Sequence, residues 1–397
     1  MKRILLILIV GSWMSILLNS AEVLAFPEMV RSGYTNCTSC HVSPAGGGIL
    51  TDYGRNLSSE VLSTWGSTKE AQLGHGILGM DDEGPGAGRG LLGIGSSKGS
   101  NDTSKDRDRL DQWLGVGGDI RAVQTYSNDE NQRSGRFIWM QAMVDIAYRI
   151  QKWTAEISVG QFAYDGSGTW KPNAQGFYLL RQLNDENIIR VGRVLPQFGL
   201  NIPDHISPTR QTLGFGFGEE RDLAEWNYIG ENWNAAIGVA DGPKALIPAE
   251  QSVYAQVQRA FKEHYKVGVS VWDGRSQHYK REIFAAHGMF GFTPHFYLLA
   301  EEDVQMKHPY GADSQTGFFG YYKLGYEIYK GMHALALFDH SQGDETNGKT
   351  LTRHWGAGFE FYPRPHFEIS GAWTRLLMRS SSDQEGDYAY VVFHYYL

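Results

Sequence analysis

Ile138-Trp139-Met140-Gln141-Ala142-Met143-Val144-Asp145-Ile146-Ala147-Tyr148-Arg149-Ile150 alternates from residue to residue. Ile138, Met140, Ala142, Val144, Ile146, Tyr148 and Ile150 share one face, and Gln141, Asp145 and Arg149 the other. A period of two is that of a strand with one apolar and one polar side. After Gln151-Lys152 the pattern repeats. Trp153, Ala155, Ile157 and Val159 face one way, and Thr154, Glu156, Ser158 and Gly160 the other. Farther on, Tyr265, Val267, Val269 and Val271 alternate with Lys266, Gly268 and Ser270.

About 16 such segments of roughly 9–14 residues fill the chain from residue 113 to 397, the length a tilted barrel strand requires. They begin near residues 115, 136, 153, 174, 186, 219, 231, 251, 264, 280, 292, 316, 331, 351, 366 and 386. Short turns fall at Gln151-Lys152, Asn184-Asp185, Gly230, Lys262-Glu263, Gly291, Lys330-Gly331 and Pro363-Arg364-Pro365. Between them lie longer polar connections at 127–135, 165–173, 195–218, 241–250, 274–279, 303–315, 341–350 and 379–385. A barrel of the outer membrane alternates short periplasmic turns with long outer loops in this way. A soluble sandwich or barrel alternates within its strands but needs no such asymmetry. Tyr388–Leu397 ends the chain as an alternating aromatic strand, with Val391, Phe393, Tyr395 and Leu397 on one face. The expectation is an all-β protein: a transmembrane antiparallel β-barrel of about 16 strands with a small, partly helical N-terminal segment. The longest connection, Arg193 to Gly218, reads as a constriction folded into the pore or as a surface flap.

Composition agrees. The 397 residues include 48 Gly, 21 Tyr, 19 Phe and 11 Trp, with 20% charged residues and a formal net charge of −8. That balance argues against nucleic acid as a partner. Past the N-terminus no apolar run approaches the roughly 20 residues of a spanning helix. A membrane location is then open only to a closed barrel. No nucleophile elbow, phosphate loop or zinc-hydrolase motif stands out. His205, His264, His287, His295, His340, His354 and His394 read as lumen or interface residues before they read as metal ligands. Glu301-Glu302-Asp303 and the acidic run Asp383 to Asp387 read as loop charges, solvated or attracting cations outside the cell.

Residues 1–25 read as a secretory signal, with Lys2 and Arg3, an apolar stretch from Leu5 to Leu18, and Val23-Leu24-Ala25 as the cleavage site. Residues 26–75 form a separate segment, and 76–112, rich in Gly, Ser and Asp, a linker or plug. Inside 26–75 lies Cys37-Thr38-Ser39-Cys40-His41, which holds the chain's two cysteines. C-x-x-C-H is the attachment pattern of a c-type haem. Two thiols at this spacing each add to a haem vinyl group, and the following histidine reaches the iron from the proximal side. A structural disulfide, a thioredoxin-like pair and a zinc site are the other readings. The pair lacks a βαβ setting, and no second Cys/His pair lies nearby. Cys37, Cys40 and His41 are therefore the expected holders of one covalent haem c. For the distal ligand, His75 and Met80 are the near candidates, and Met29 precedes the motif. A residue of the later domain or an open position are the alternatives. Val42 to Gly48 reads as a tight loop, and Leu57 to Thr64, capped by the Asn or Ser before it, as a short helix.

Signal, single C-x-x-C-H near the mature N-terminus and C-terminal barrel together resemble the fused cytochrome–porins of iron-oxidising and other electron-exchanging bacteria. The resemblance rests on Phe26-Pro27 to His41 in detail and on the barrel in architecture only. It implies covalent haem, an outer-membrane location, and electron transfer between an extracellular donor or acceptor, Fe(II) among them, and a periplasmic c-type cytochrome. A diffusion porin whose haem is structural or regulatory is the rival of another class.

Overall fold

The computed structural model describes residues 27–34, 36–65, 112–129, 133–162, 173–202, 207–216, 218–242, 249–380 and 383–397. The expected signal, most of the linker, His75, Met80 and His205 lie outside them.

Sixteen strands form one closed antiparallel barrel. They are β1 (Gln112–Asp129), β2 (Arg133–Ile150), β3 (Trp153–Phe162), β4 (Asn173–Gln182), β5 (Asn187–Val194), β6 (Arg221–Ile229), β7 (Trp233–Gly242) and β8 (Glu250–Phe261). The second half holds β9 (Tyr265–Ser276), β10 (Tyr279–Thr293), β11 (Phe296–Pro309), β12 (Gln315–Tyr329), β13 (Met332–Gln342), β14 (Leu351–Arg364), β15 (Phe367–Met378) and β16 (Gln384–Tyr396). Each strand pairs with its sequence neighbours, and β1 closes on β16, with Ala122 opposite Phe393.

The wall is apolar outside and polar inside. Val253 and Val257 of β8 and Val269 and Val271 of β9 point out, while Gln256, Gln258 and Ser270 are buried inward. This is the reverse of a soluble barrel, whose apolar side chains fill its middle. Ion pairs cover much of the inner face, including Arg190–Glu225 at 2.8 Å and Arg281–Glu250 at 2.6 Å. These four side chains are retained inside because each meets its opposite charge.

Four local expectations are corrected. Ile138 and Met140 do not share the face of Val144. Between Arg121↔Gln141 and Ala122↔Trp139 the register shifts, leaving Met140 as an extra residue. A bulge of one residue flips every side chain beyond it. Phe137 and Trp139 are therefore the exposed pair. Second, Gly291 is not a turn but lies in β10, and the turn follows at Pro294-His295. Pro363 and Arg364 are likewise still in β14, ahead of a turn at Pro365-His366. Third, the connections expected at 274–279 and 303–315 shrink to 277–278 and 310–314 because the flanking strands run on. Asp303 is thus mid-strand. Fourth, the N-terminal helix comes earlier. α1 (Asp52–Leu57) starts at Thr51, whose side chain accepts the Gly54 N–H at 3.1 Å, and a π turn, Ser58–Leu62, continues it.

Candidate functional site

Residues 27–65 sit across the short-turn end of the barrel. Val30 joins an apolar cluster with Met289, Tyr297, Leu299, Tyr321 and Leu335, all from inner faces of the wall. Arg31 donates to Glu327 at 2.5 Å and to the Pro294 carbonyl at 2.8 Å. The Asn36 and Asn234 side chains meet at 2.6 Å. On the far side Arg55 donates to the Val116 carbonyl at 2.7 Å, and the Ser58 hydroxyl meets that of Tyr396 at 3.2 Å. Trp65 N–H donates to the Pro363 carbonyl at 3.1 Å. These partners belong to strands all round the ring, so the segment is a floor rather than a tail.

Cys37–Ser39 is one 3-10 turn, closed by Cys40 N–H and His41 N–H donating to the Cys37 carbonyl at 3.2 and 2.9 Å. Both thiols are free. The chain then doubles back, His41 bridging to Leu50. The return is made by Gly46, Gly47 and Gly48, all at positive φ, where L side chains are strained. A methyl group on Gly46 would also stand 3.5 Å from the Cys37 Sγ.

Cys37 and His41 line a cavity of about 620 Å³, within the range of small-molecule sites. Its other walls carry Glu156, Tyr178, Arg190, Arg121 and His394 from the barrel. Cys40 does not line it. That thiol is buried among Met29, Leu57, Leu62 and Tyr362. Burial pushes the Cys40 thiol up to about 12 and also raises that of Cys37, against the pull of Lys266 and Arg190. It pushes the His41 imidazole down to about 4, keeping the ring neutral.

The connection between β5 and β6 folds inward. Phe198, Leu213 and Phe215 are buried with Tyr254 and Trp272 of the wall, and Phe198 stacks on Phe215 at 4.4 Å. Its short helix α2 (Pro208–Leu213) ends at Gly214 in the left-handed conformation. Thr209 donates from its hydroxyl to Asp339 at 2.7 Å, and Arg210 pairs with Glu301 at 3.2 Å. Of the two readings of this loop, the inward one holds. The loop also reaches the floor, where Gln197 donates to the Pro44 carbonyl at 3.3 Å and Asn201 to that of Ala45 at 3.2 Å. Arg190 ties both together, donating to Ser43 Oγ at 2.9 Å and to the Leu195 carbonyl at 3.2 Å.

Cys37, Cys40 and His41 are thus brought together, and Met29 joins them. The histidines do not converge: among the described residues no group of three metal-binding side chains forms. Glu301 and Asp303 are not loop charges. They lie buried on the inner face of β11, and Glu301 holds the inward loop, while Glu302 points out and accepts from Tyr322 at 2.5 Å. Asp383, Glu385 and Asp387 pair with Arg379 and Arg375. Sequence reading missed Arg190 and Lys266, because inward charges recur along every barrel strand.

No protein-family model matches this sequence, and no curated protein is similar to it. Solved structures are similar in fold. The outer membrane channel DcaP of Acinetobacter baumannii superposes with a TM-score of 0.57 at 11% identity, over 73% of this chain and 98% of that one. A loop-deletion mutant of the outer membrane protein OmpT of Vibrio cholerae gives 0.60 at 9% identity, over 72% and 99%. An anion-selective porin from Comamonas acidovorans gives 0.53 at 10% identity, over 72% and 100%. The barrel is of the porin type.

Proposed function

We propose that this protein is a monohaem cytochrome–porin of the outer membrane, passing electrons between an extracellular donor or acceptor and a periplasmic c-type cytochrome. The observation that carries the reading is the Cys37–His41 turn, set in the barrel floor with Cys37 and His41 facing a cavity of the lumen. The outer-membrane setting is supported by the apolar outer wall and the polar lumen, and by the porin neighbours.

The residues present fit a covalent haem. Two unlinked thiols lie on one turn, the neutral imidazole follows directly, and apolar side chains line the Cys40 side. When bound, the haem supplies one-electron exchange at its iron. Cys37 and Cys40 would hold it through thioether bonds, and His41 would ligate its iron. Met29, which packs beside Cys40, would be a further sulfur donor within the described residues. The inward loop meets the floor at Pro44 and Ala45, a few residues from His41, which supports a link between the site and the loop.

An Fe(II) oxidase of the same architecture is the narrower version, with a donor site near the haem. The diffusion porin is the rival, and the floor and inward loop, which take up part of the lumen, weigh against it. The test is a redox-controlled visible spectrum of the purified protein, with a pyridine haemochrome assay, before and after Fe(II) at neutral pH. A c-type spectrum reduced by Fe(II) supports the iron-oxidising conduit. A c-type spectrum indifferent to Fe(II) but reduced by other mediators leaves a conduit with another donor. Absence of covalent haem ends the reading and leaves a porin-type barrel.

A further inference from the structure

His41 and Leu50 form an antiparallel bridge, and Val42 N–H donates to the Ile49 carbonyl at 3.1 Å. Between the two arms the chain returns through Gly46, Gly47 and Gly48, at φ of 79°, 72° and 61°. Glycine adopts this conformation without strain but also many others, so such a run does not hold its own shape. The barrel wall supplies what holds it. A methyl group on Gly48 would stand 2.2 Å from Glu156 Oε1 of β3, whereas one on Gly47 would meet nothing within 4 Å. Glu156 is buried, and its carboxylate accepts from the hydroxyl of Tyr178, its register partner on β4. That bond keeps the carboxylate from swinging away from Gly48. The Tyr178 ring in turn lies 5.9 Å from the Arg190 guanidinium, which donates to Ser43 at the start of the return. Ile49 alone separates Gly48 from Leu50, the bridge partner of His41.

We propose that Glu156 is the positioning residue of His41: its carboxylate seats the glycine return from the wall and so fixes where the imidazole stands. The inference rests on the haem reading above and deepens it, since the barrel then sets the place of the iron ligand as well as surrounding it. Outer partners that orient a ligating side chain govern how firmly it holds its metal.

The experiment is a spectroelectrochemical titration of the purified holoprotein and of Glu156→Ala, Glu156→Gln, Gly48→Ala and Gly47→Ala. Haemochrome content and the heat-dependent gel shift of the folded barrel are recorded for each. An imidazole held less firmly stabilises ferric iron less, so the potential of Glu156→Ala should rise. An about tenfold loss of ferric over ferrous ligation corresponds to about 59 mV. Glu156→Gln fills the same space and still accepts from Tyr178, so it should stay near the parent. Gly48→Ala drives its methyl group into Glu156 and should shift the potential as well. Gly47→Ala, strained alike in its backbone but clear of the wall, should not. If Glu156→Ala does not fold, the two glycine variants carry the test. A folded, haem-loaded Glu156→Ala with the parent's potential, or equal shifts in Gly47→Ala and Gly48→Ala, overturns the inference and leaves the function untouched. A parent without haem overturns both.

Discussion

Gly291 of the wall passes so close to Arg31 of the floor that a methyl group on it would stand 2.7 Å from the Arg31 Cα and 2.9 Å from the Val30 carbonyl oxygen. Both neighbours are backbone and have little room to give. Gly291→Val should therefore lift the floor from β10 while the barrel stays closed. The expected cost is about 1–3 kcal/mol, the range of overpacking, and it falls on the seating of residues 27–65. Limited proteolysis of folded protein would show it as faster loss of the N-terminal segment, with the heat-dependent gel shift of the barrel unchanged. Equal protection of parent and variant would refute the close approach.

Arg190 is the knot between floor, loop and wall. Arg190→Met leaves Glu225 buried without its cation and frees Ser43 and Leu195. Breaking one half of a buried pair costs about 3–5 kcal/mol, whereas replacing both halves costs far less. Urea unfolding in lipid vesicles should place the single variant well below the parent and the double variant Arg190→Met/Glu225→Leu between them. A double variant no better than the single would mean that the pair itself is not what matters.

The thiols give a prediction with a sign in pH. Burial disfavours the charged thiolate, so an unattached Cys40 ionises only as pH rises toward about 12. Protein refolded without haem should react slowly with iodoacetamide at neutral pH, and faster with each step into alkali. Protein matured in a periplasm that attaches haem should show no alkylatable thiol even after denaturation. Mass spectrometry of the alkylated chain separates these cases, and two free thiols in the matured, denatured protein would sink the attachment.

Two obstacles stand in series in the lumen. Deleting residues 197–216 removes the inward loop but leaves the floor, and deleting 27–65 does the reverse. Each deletion alone should raise ion conductance in planar bilayers only slightly, and the two together should open a pore of porin size. If either single deletion matches the double, the other element is not a barrier.

The barrel was legible because Val144, Ile146 and Tyr148 had to alternate with Asp145 and Ala147 to meet two different surroundings. The pattern fails where a backbone detail intervenes. Nothing in the composition of 137–143 marks Met140 as an extra residue, since apolar side chains stand on both sides of it. Gly291 looked like a turn because glycine serves both turns and close approaches, and only the partner strand or segment tells them apart. Glu301 and Asp303 looked like solvated charges because what buries them, Arg210 and its loop, is some 90 residues away. The Cys37-x-x-Cys40-His41 spacing singled out the segment as a candidate site, but not the 3-10 turn it forms. Its wall neighbours Lys266 and Arg190 were not, because their meaning depends on which part of the chain is folded against them.

The seam between the first and last strands has a temporal side. Leu397 and Gly118 exchange backbone hydrogen bonds at 2.9 and 3.4 Å, and Ile49 lies against Gly117 beside them. Arg55 and Ser58 hold on to β1 and β16 respectively. Once the ring is shut, Cys40 is 2% exposed and beneath its own segment. On the haem reading, chemistry at that sulfur should be finished before Met29, Leu57, Leu62 and Tyr362 close over it, so maturation should precede the seating of this segment in the barrel. A truncation ending before residue 384, unable to complete the ring, should then still carry its haem. If instead it carries none while the full chain does, the sequence of events runs the other way, and the shut barrel is the workbench on which attachment takes place.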